Sequence, residues 1–119
     1  MITLDIPAVP SVNHLFANNK RDGRSKTKHY RAWRAQATAA ILAQGRPRLL
    51  GPYEIHLAHN PRGRRADLGN LEKAASDILV HTGVIEEDSK ARRICMWFDY
   101  DLPAHVGCRV TLKEWEAGQ

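Results

Sequence analysis

The chain has 119 residues, a formal net charge of +5 and a pI near 9.6. This length suits one domain with a single buried core, which we expect to span residues 1–119, and the charge favours a polyanionic partner. The sequence has no apolar run of about 18 residues and no signal-peptide pattern, which excludes a membrane-spanning segment and predicts a cytoplasmic protein.

The N-terminal segment begins with alternating apolar residues. Ile2, Leu4 and Ile6 predict a strand with one buried face, which Pro7 ends. Residues 11–28 are rich in Asn, Lys, Arg and Gly without periodicity, which predicts a long, exposed, mobile loop. Loops longer than about 12 residues in small domains are usually functional or disordered, and we favour a function. The basic residues of this segment are candidates for phosphate binding: Lys20, Arg21, Arg24, Lys26 and Lys28.

A helix and a strand are predicted next. Apolar residues recur at helical spacing over residues 29–44, and Gly45 ends the pattern. A strand follows, in which alternate residues are apolar: Tyr53, Ile55 and Leu57. It ends at Asn60, before a second basic cluster that is also a candidate for phosphate binding: Arg62, Arg64 and Arg65.

A second helix carries the residues that are the best candidates for taking part in a chemical reaction. Its core-facing arc consists of five apolar residues: Leu71, Ala74, Ala75, Ile78 and Leu79. Asn70, Lys73 and Asp77 share a separate polar side, and Gly83 can supply the positive φ that often ends a helix. Asp67 stands at the entry of this helix, where its carboxylate can either cap the helix or hold a metal ion.

Three acidic residues follow this helix in succession, Glu86, Glu87 and Asp88. Their mutual repulsion destabilises a turn that is merely solvated, and a bound divalent cation would relieve it.

The C-terminal part predicts two strands, over residues 94–100 and 106–113, joined by a tight turn near Asp101. Such a hairpin would bring Cys95 and Cys108 together on one face, although no cysteine or histidine spacing supports a zinc site. The element order is therefore β-α-β-α-β-β. This order predicts an α/β domain with a mixed four-stranded sheet and two helices.

The run Asp67-Leu68-Gly69-Asn70-Leu71-Glu72-Lys73-Ala74, followed by Asp77, Gly83 and Glu87-Asp88, resembles the RusA family of Holliday-junction resolvases. Pro10-Ser11-Val12-Asn13 adds to the resemblance. The family consists of small, dimeric, metal-dependent endonucleases. The resemblance implies a homodimer that cleaves four-way or branched DNA in recombination and repair, with Mg²⁺ or Mn²⁺ as cofactor.

Matching the motif implies that Asp67 and Asp88 are catalytic metal ligands and that Lys73 is the catalytic lysine. By the same resemblance, Asn13 would contact a phosphate or orient the site. The chain departs from the family at Gly69, where an aspartate is usual. Glu87 is our first choice to replace that carboxylate, with Glu72 as the second.

Two other interpretations stay open. The chain could be a catalytically weakened or inactive protein that binds junctions or other nucleic acid on the same fold, as Gly69 would permit. It could also be a basic structural domain without a nucleic-acid role. For Lys73, the alternative is an ion pair with Asp77 on the helix surface, worth about 0.3–0.5 kcal/mol.

Overall fold

The computed structural model describes residues 1–11, 16–19, 23–63 and 67–116, and for residues 16–19 and 23–26 it describes the backbone alone. The strands are β1 (Ile2–Ile6), β2 (Phe16–Asn19), β3 (Gly23–Lys26), β4 (Tyr53–His59), β5 (Ala91–Phe98) and β6 (Cys108–Glu114). The helices are α1 (Lys28–Ala43) and α2 (Glu72–His81), and 3₁₀ turns cover Leu68–Asn70 and Asp88–Lys90.

Four strands form one mixed sheet in the order β1-β6-β4-β5. β4 pairs in parallel with β5, whereas β6 runs antiparallel to both β1 and β4. The parallel pair requires a crossover connection, and α2 provides it. This mixed sheet with two helices confirms the predicted α/β architecture.

One core lies between the helices and one face of the sheet. The apolar stripe of α1 contributes Trp33, Ala37 and Ile41, and the sheet contributes Ile55 and Leu57. All five predicted core residues of α2 are buried: Leu71, Ala74, Ala75, Ile78 and Leu79. The 3.6-residue periodicity of both helices therefore predicted their buried faces correctly.

The end of α2 shows how local sequence fixes the chain path toward the acidic residues. Gly83 has a φ of +79°, and its N–H donates to Val80 O at 3.0 Å. The N–H of Val84 donates to Leu79 O at 2.9 Å, which completes a Schellman motif. The predicted role of Gly83 is confirmed, and the chain turns sharply toward residues 86–88 after it.

The predicted hairpin of the last two strands is wrong. β5 is an edge strand beside β4, and β6 lies on the other side of β4. Cys95 is paired with His56 and Cys108 with His59, on either side of β4 and three residues apart along it, so the two cysteines lie about 14 Å apart on opposite faces of the sheet. In β6, buried residues alternate with partly buried ones, as suits a strand in the interior of the sheet. The residues of β5 are all partly buried or exposed, as suits an edge strand.

The connection between β5 and β6 is a packed loop over residues 99–107 instead of a tight turn. The Nδ2 of buried Asn60 donates to Pro103 O at 3.2 Å and to Val106 O at 3.0 Å. Leu102 and Val106 bury against Ala58 in a second, smaller cluster on the face of the sheet opposite the helices. Asn60 thus holds the loop that carries the chain from the edge of the sheet to its interior.

The interpretation of residues 11–28 as an unstructured loop is also wrong. Residues 16–19 and 23–26 form the antiparallel pair β2 and β3, with Phe16 opposite Lys26 and Asn19 opposite Gly23. Helix α1 then begins at Lys28. Thr27 caps it, because its Oγ1 accepts the N–H of Tyr30 at 3.1 Å.

Among the described residues, no helix combines the length and the apolar character needed to cross a membrane.

Candidate active site

Asp67 precedes the Leu68–Asn70 turn, at the N-terminal end of the segment that becomes α2. Its side chain makes no capping hydrogen bond, although its backbone carbonyl accepts the N–H of Asn70 at 3.0 Å. The residue is exposed. The capping role considered from the sequence is therefore absent, and among the described residues the carboxylate has no hydrogen-bond or ion-pair partner.

The acidic residues 86–88 separate into two environments. Glu86 accepts the N–H of Gly51 at 2.8 Å and the ammonium of Lys90 at 3.0 Å, and these two bonds hold the pKa of Glu86 below its ordinary value. Glu87 and Asp88 are exposed, and neither carboxylate forms a hydrogen bond or ion pair within the described part of the chain. The mutual repulsion expected among residues 86–88 is therefore relieved at Glu86 but not at Glu87 and Asp88.

A cleft of about 350 Å³ opens beside Glu87 and Asp88. It is lined by Tyr30 and Arg34 of α1, by Asp77, Val80 and His81 of α2, and by the two acidic residues. The guanidinium of Arg34 donates to Nδ1 of His81 at 2.5 Å. The cleft therefore combines carboxylates with a fixed cation, which suits the binding of a phosphate beside a metal ion.

Lys73 does not line this cleft; it lies on the exposed side of α2 with its Nζ 3.4 Å from Asp77 Oδ2. Both side chains are substantially exposed, at 51% and 35%, so the ion pair contributes little to stability. The surface pairing that the sequence suggested as an alternative is present. It leaves the ammonium able to exchange Asp77 for a phosphate at low cost.

The short turns beside Asp67 and Asp88 each pack against another element of the fold. The 3₁₀ turn that follows Asp67 packs against β5, and the turn that begins at Asp88 packs against α2. Both turns therefore adjoin the β4-α2-β5 unit. Within the described residues, no three His, Cys, Asp or Glu side chains are close enough to hold a metal ion as a ready cluster.

Only some of the predicted phosphate-binding residues can be located. Lys28 is exposed at the start of α1, and Arg62 is exposed with its Nη1 3.4 Å from Leu102 O. Arg24 and Lys26 belong to β3, for which the backbone alone is described. The remaining candidates lie outside the described residues: Asn13, Lys20, Arg21, Arg64 and Arg65.

Tyr53 is a residue that the sequence analysis assigned only to the core. It is 1% exposed, and its hydroxyl has no hydrogen-bond partner among the described residues. Burial, and to a lesser extent the negative charges of Asp88 and Glu72, raise the pKa of Tyr53 to about 12. The hydroxyl therefore lies within electrostatic reach of two carboxylates. In the sequence, a tyrosine in this alternating strand is indistinguishable from any other core residue.

Comparison with known proteins gives a match to one protein family. The family model of the endodeoxyribonuclease RusA matches residues 5–111. A search of curated proteins returned no match. The matched range extends from β1 to β6 and includes Asp67, Lys73 and Asp88. The chain belongs to the RusA endodeoxyribonuclease family, whose members are Holliday-junction resolvases.

Proposed function

We propose that this protein is a divalent-cation-dependent endonuclease that hydrolyses phosphodiester bonds in four-way or branched DNA during recombination and repair. One observation carries the proposal. The carboxylates of Asp67, Glu87 and Asp88 form no hydrogen bond or ion pair with the described residues. In the same segment Asp77 and Glu86 are paired with lysines. Unpaired carboxylates in a basic chain are suited to bind a cation.

The donor set fits Mg²⁺ or Mn²⁺, because these cations prefer carboxylate oxygens. Asp67 and Asp88 would hold the ion, with Glu87 as an additional ligand. When bound, the cation would activate a water molecule and offset the charge that develops on the phosphate. Mg²⁺ is commonly held by one or two carboxylates together with substrate phosphates, so a ready cluster of three protein ligands is not required.

The remaining residues of the site would act on the DNA itself. Lys73 would leave Asp77 and place its ammonium against the scissile phosphate, which stabilises the added negative charge. Arg34, fixed by its bond to His81, would contact a neighbouring phosphate from the cleft beside Glu87 and Asp88. Lys28 and Arg62, both exposed, would add affinity without base recognition.

The proposal includes a homodimer acting on DNA in the cytoplasm. Resolution of a four-way junction requires two symmetric cuts, and a pair of identical sites related by a twofold axis provides them. The charge of +5 supports a polyanionic substrate.

A second candidate function is junction binding without efficient cleavage. Gly69 favours it, because a glycine at this position contributes no carboxylate two residues after Asp67. In this case the basic surface would retain affinity while the chemistry is lost.

Labelled four-way junctions and linear duplexes of the same sequence, incubated with Mg²⁺, Mn²⁺ or EDTA, would test the proposal. We expect paired cuts in the junction with either cation and no cleavage with EDTA. Binding without cleavage under every condition would favour the second candidate. Absence of both binding and cleavage would contradict a nucleic-acid role.

A further inference from the structure

The two edges of the main sheet differ in how their outward backbone groups are satisfied. At the β1 edge, the side-chain amide of Gln44 takes the place of a neighbouring strand: its Oε1 accepts the N–H of Asp5 at 2.9 Å, and its Nε2 donates to Asp5 O at 2.7 Å. At the other edge, β5 pairs with β4 alone among the described strands. An uncovered strand edge is a template for pairing with another chain.

The outward backbone groups of β5 belong to alternate residues. The N–H of Asp99 donates to His59 O at 2.8 Å, so the odd-numbered residues in this part of β5 direct their backbone groups at β4. Ile94, Met96 and Phe98 consequently direct theirs away from the sheet. Within the described ranges, no side chain and no other element bonds to these groups. The β5 edge therefore offers unpaired donors and acceptors over most of its length.

Exposed apolar side chains gather at this edge. Ile94 is 45% exposed, Trp97 is 40% exposed, and Tyr100, just after the strand, is 78% exposed. They make up half of the large hydrophobic residues that are exposed in the described part of the chain. Ile94 and Trp97 lie on opposite faces of the sheet, because side chains alternate along a strand. A further strand beside β5 would cover apolar surface on both faces.

Arg93 restricts the register in which two copies of β5 can pair. Arg93 directly opposite Arg93 would be repulsive. A twofold axis that passes between two Cys95 residues avoids this contact, because it sets Arg93 opposite Trp97 of the partner subunit and Ile94 opposite the partner subunit's Met96. The first pair brings a cation to an indole ring, and the second joins two apolar side chains. This register is therefore complementary in charge and in apolar surface.

The side chain of Arg93 is already held in place for such a contact. Its Nη1 lies 3.3 Å from Glu54 Oε2, and its guanidinium carbon lies 5.2 Å from the centre of the Trp115 ring. These contacts fix the guanidinium on the sheet face opposite the helices, yet 51% of the side chain stays exposed. Trp97 of the partner subunit would cover this exposed part.

We propose that a second copy of this chain pairs antiparallel with the edge of β5, about a twofold axis between the two Cys95 residues, and joins two four-stranded sheets into one of eight strands. This inference rests on the homodimer of the proposed function and names the surface that forms it. In this register the Cβ atoms of the two Cys95 residues lie about 4.5–5.5 Å apart. Cys108, the other cysteine of the chain, is buried, so Cys95 is the thiol able to link two copies.

Oxidation of the full-length protein with copper phenanthroline tests the register. We expect a disulfide-linked dimer on a non-reducing gel, which a reductant reverses and Cys95→Ser abolishes. The matched control is Arg92→Cys in the Cys95→Ser background. It places a thiol on the same strand, but two copies of residue 92 would lie about 20 Å apart in this register. Linking through position 92 as efficiently as through Cys95 would overturn the register.

Sedimentation equilibrium tests the surface without relying on a thiol. Ile94→Lys should raise the Kd of the dimer by at least about tenfold, because it sets a charge against the partner's Met96 in the middle of the pairing. Leu42→Lys is the matched control, since Leu42 is a similarly exposed apolar residue on α1, and it should leave the Kd unchanged. Both positions are exposed, so both variants should keep wild-type circular dichroism.

The same samples separate this inference from the proposed function. A dimer that persists in Ile94→Lys and forms no Cys95 link would overturn the inference and leave the homodimer intact on another surface. A wild-type protein that stays monomeric, both free and with a four-way junction, would contradict the inference and that homodimer together. A protein that dimerises through Cys95 and leaves the junction uncut in Mg²⁺ and Mn²⁺ would support the interface and refute the proposed nuclease.

Discussion

Replacing Tyr53 with phenylalanine should make the cation-free protein more stable. The substitution keeps the buried ring and removes only the hydroxyl, which has no hydrogen-bond partner among the described residues. Because an unsatisfied buried hydroxyl costs about 1–3 kcal/mol, the free energy of unfolding should rise by roughly that amount. With an m-value of about 2 kcal/mol/M, a gain of about 1 kcal/mol moves the urea midpoint upward by about 0.5 M.

Urea unfolding followed by circular dichroism, in EDTA, would measure this change. Tyr100→Phe is the control, since Tyr100 is 78% exposed and its hydroxyl is solvated; its stability should stay within about 0.5 kcal/mol of wild type. A destabilised Tyr53→Phe would instead show that the hydroxyl has a hydrogen-bond partner in the folded protein.

Three further predictions test other parts of the structure. Asn60→Ala should destabilise the protein by about 1–3 kcal/mol in urea unfolding, because it leaves the buried carbonyl of Val106 without its Asn60 donor and removes the bond to Pro103 O; a loss below about 0.5 kcal/mol would show that the loop is held otherwise. Replacing Lys26 and Lys28 with alanine should reduce the slope of log affinity for junction DNA against log salt by up to about two, and an unchanged slope would remove both from the interface. The pKa of Glu86 is lowered in the folded protein, so the stabilisation by its carboxylate is present above the ordinary pKa of 4.5 and is lost as the pH falls through the lowered pKa. Glu86→Gln should therefore flatten the acid side of a plot of unfolding free energy against pH. An unchanged plot would contradict the bonds from Gly51 and Lys90.

The sequence predicted the elements of the main sheet and both helices, and it failed on how the strands pair. Helical periodicity identifies a buried face directly, as Leu71 and Ile78 show. Alternation in residues 94–100 and 106–113 identifies strands but contains no information on their neighbours. The neighbours are decided by the 99–107 loop, whose anchor Asn60 lies far away in sequence. The β2–β3 pair was missed because its residues are mostly polar, small or charged.

For the candidate site, the sequence predicted some residues and not others. Asp67, Lys73 and Asp88 were located through the resemblance to a family. The structure adds that the Asp67 and Asp88 carboxylates have no partner in the described part of the chain, while Lys73 is paired with Asp77. The buried hydroxyl of Tyr53, which has no hydrogen-bond partner among the described residues, could not be predicted this way. A tyrosine in an alternating strand is indistinguishable from a core residue until the position of its hydroxyl is known.

The most direct test of the proposed nuclease compares cleavage and binding in the same variants. Wild type, Asp67→Asn and Asp88→Asn would be assayed on one labelled four-way junction, by gel shift in Ca²⁺ and by product formation in Mg²⁺. Both residues are exposed, so the amide should preserve the fold. The account predicts that both variants bind the junction at least as tightly as wild type and cut it undetectably. Wild-type cleavage by both variants would contradict the assignment of Asp67 and Asp88 to the cation site.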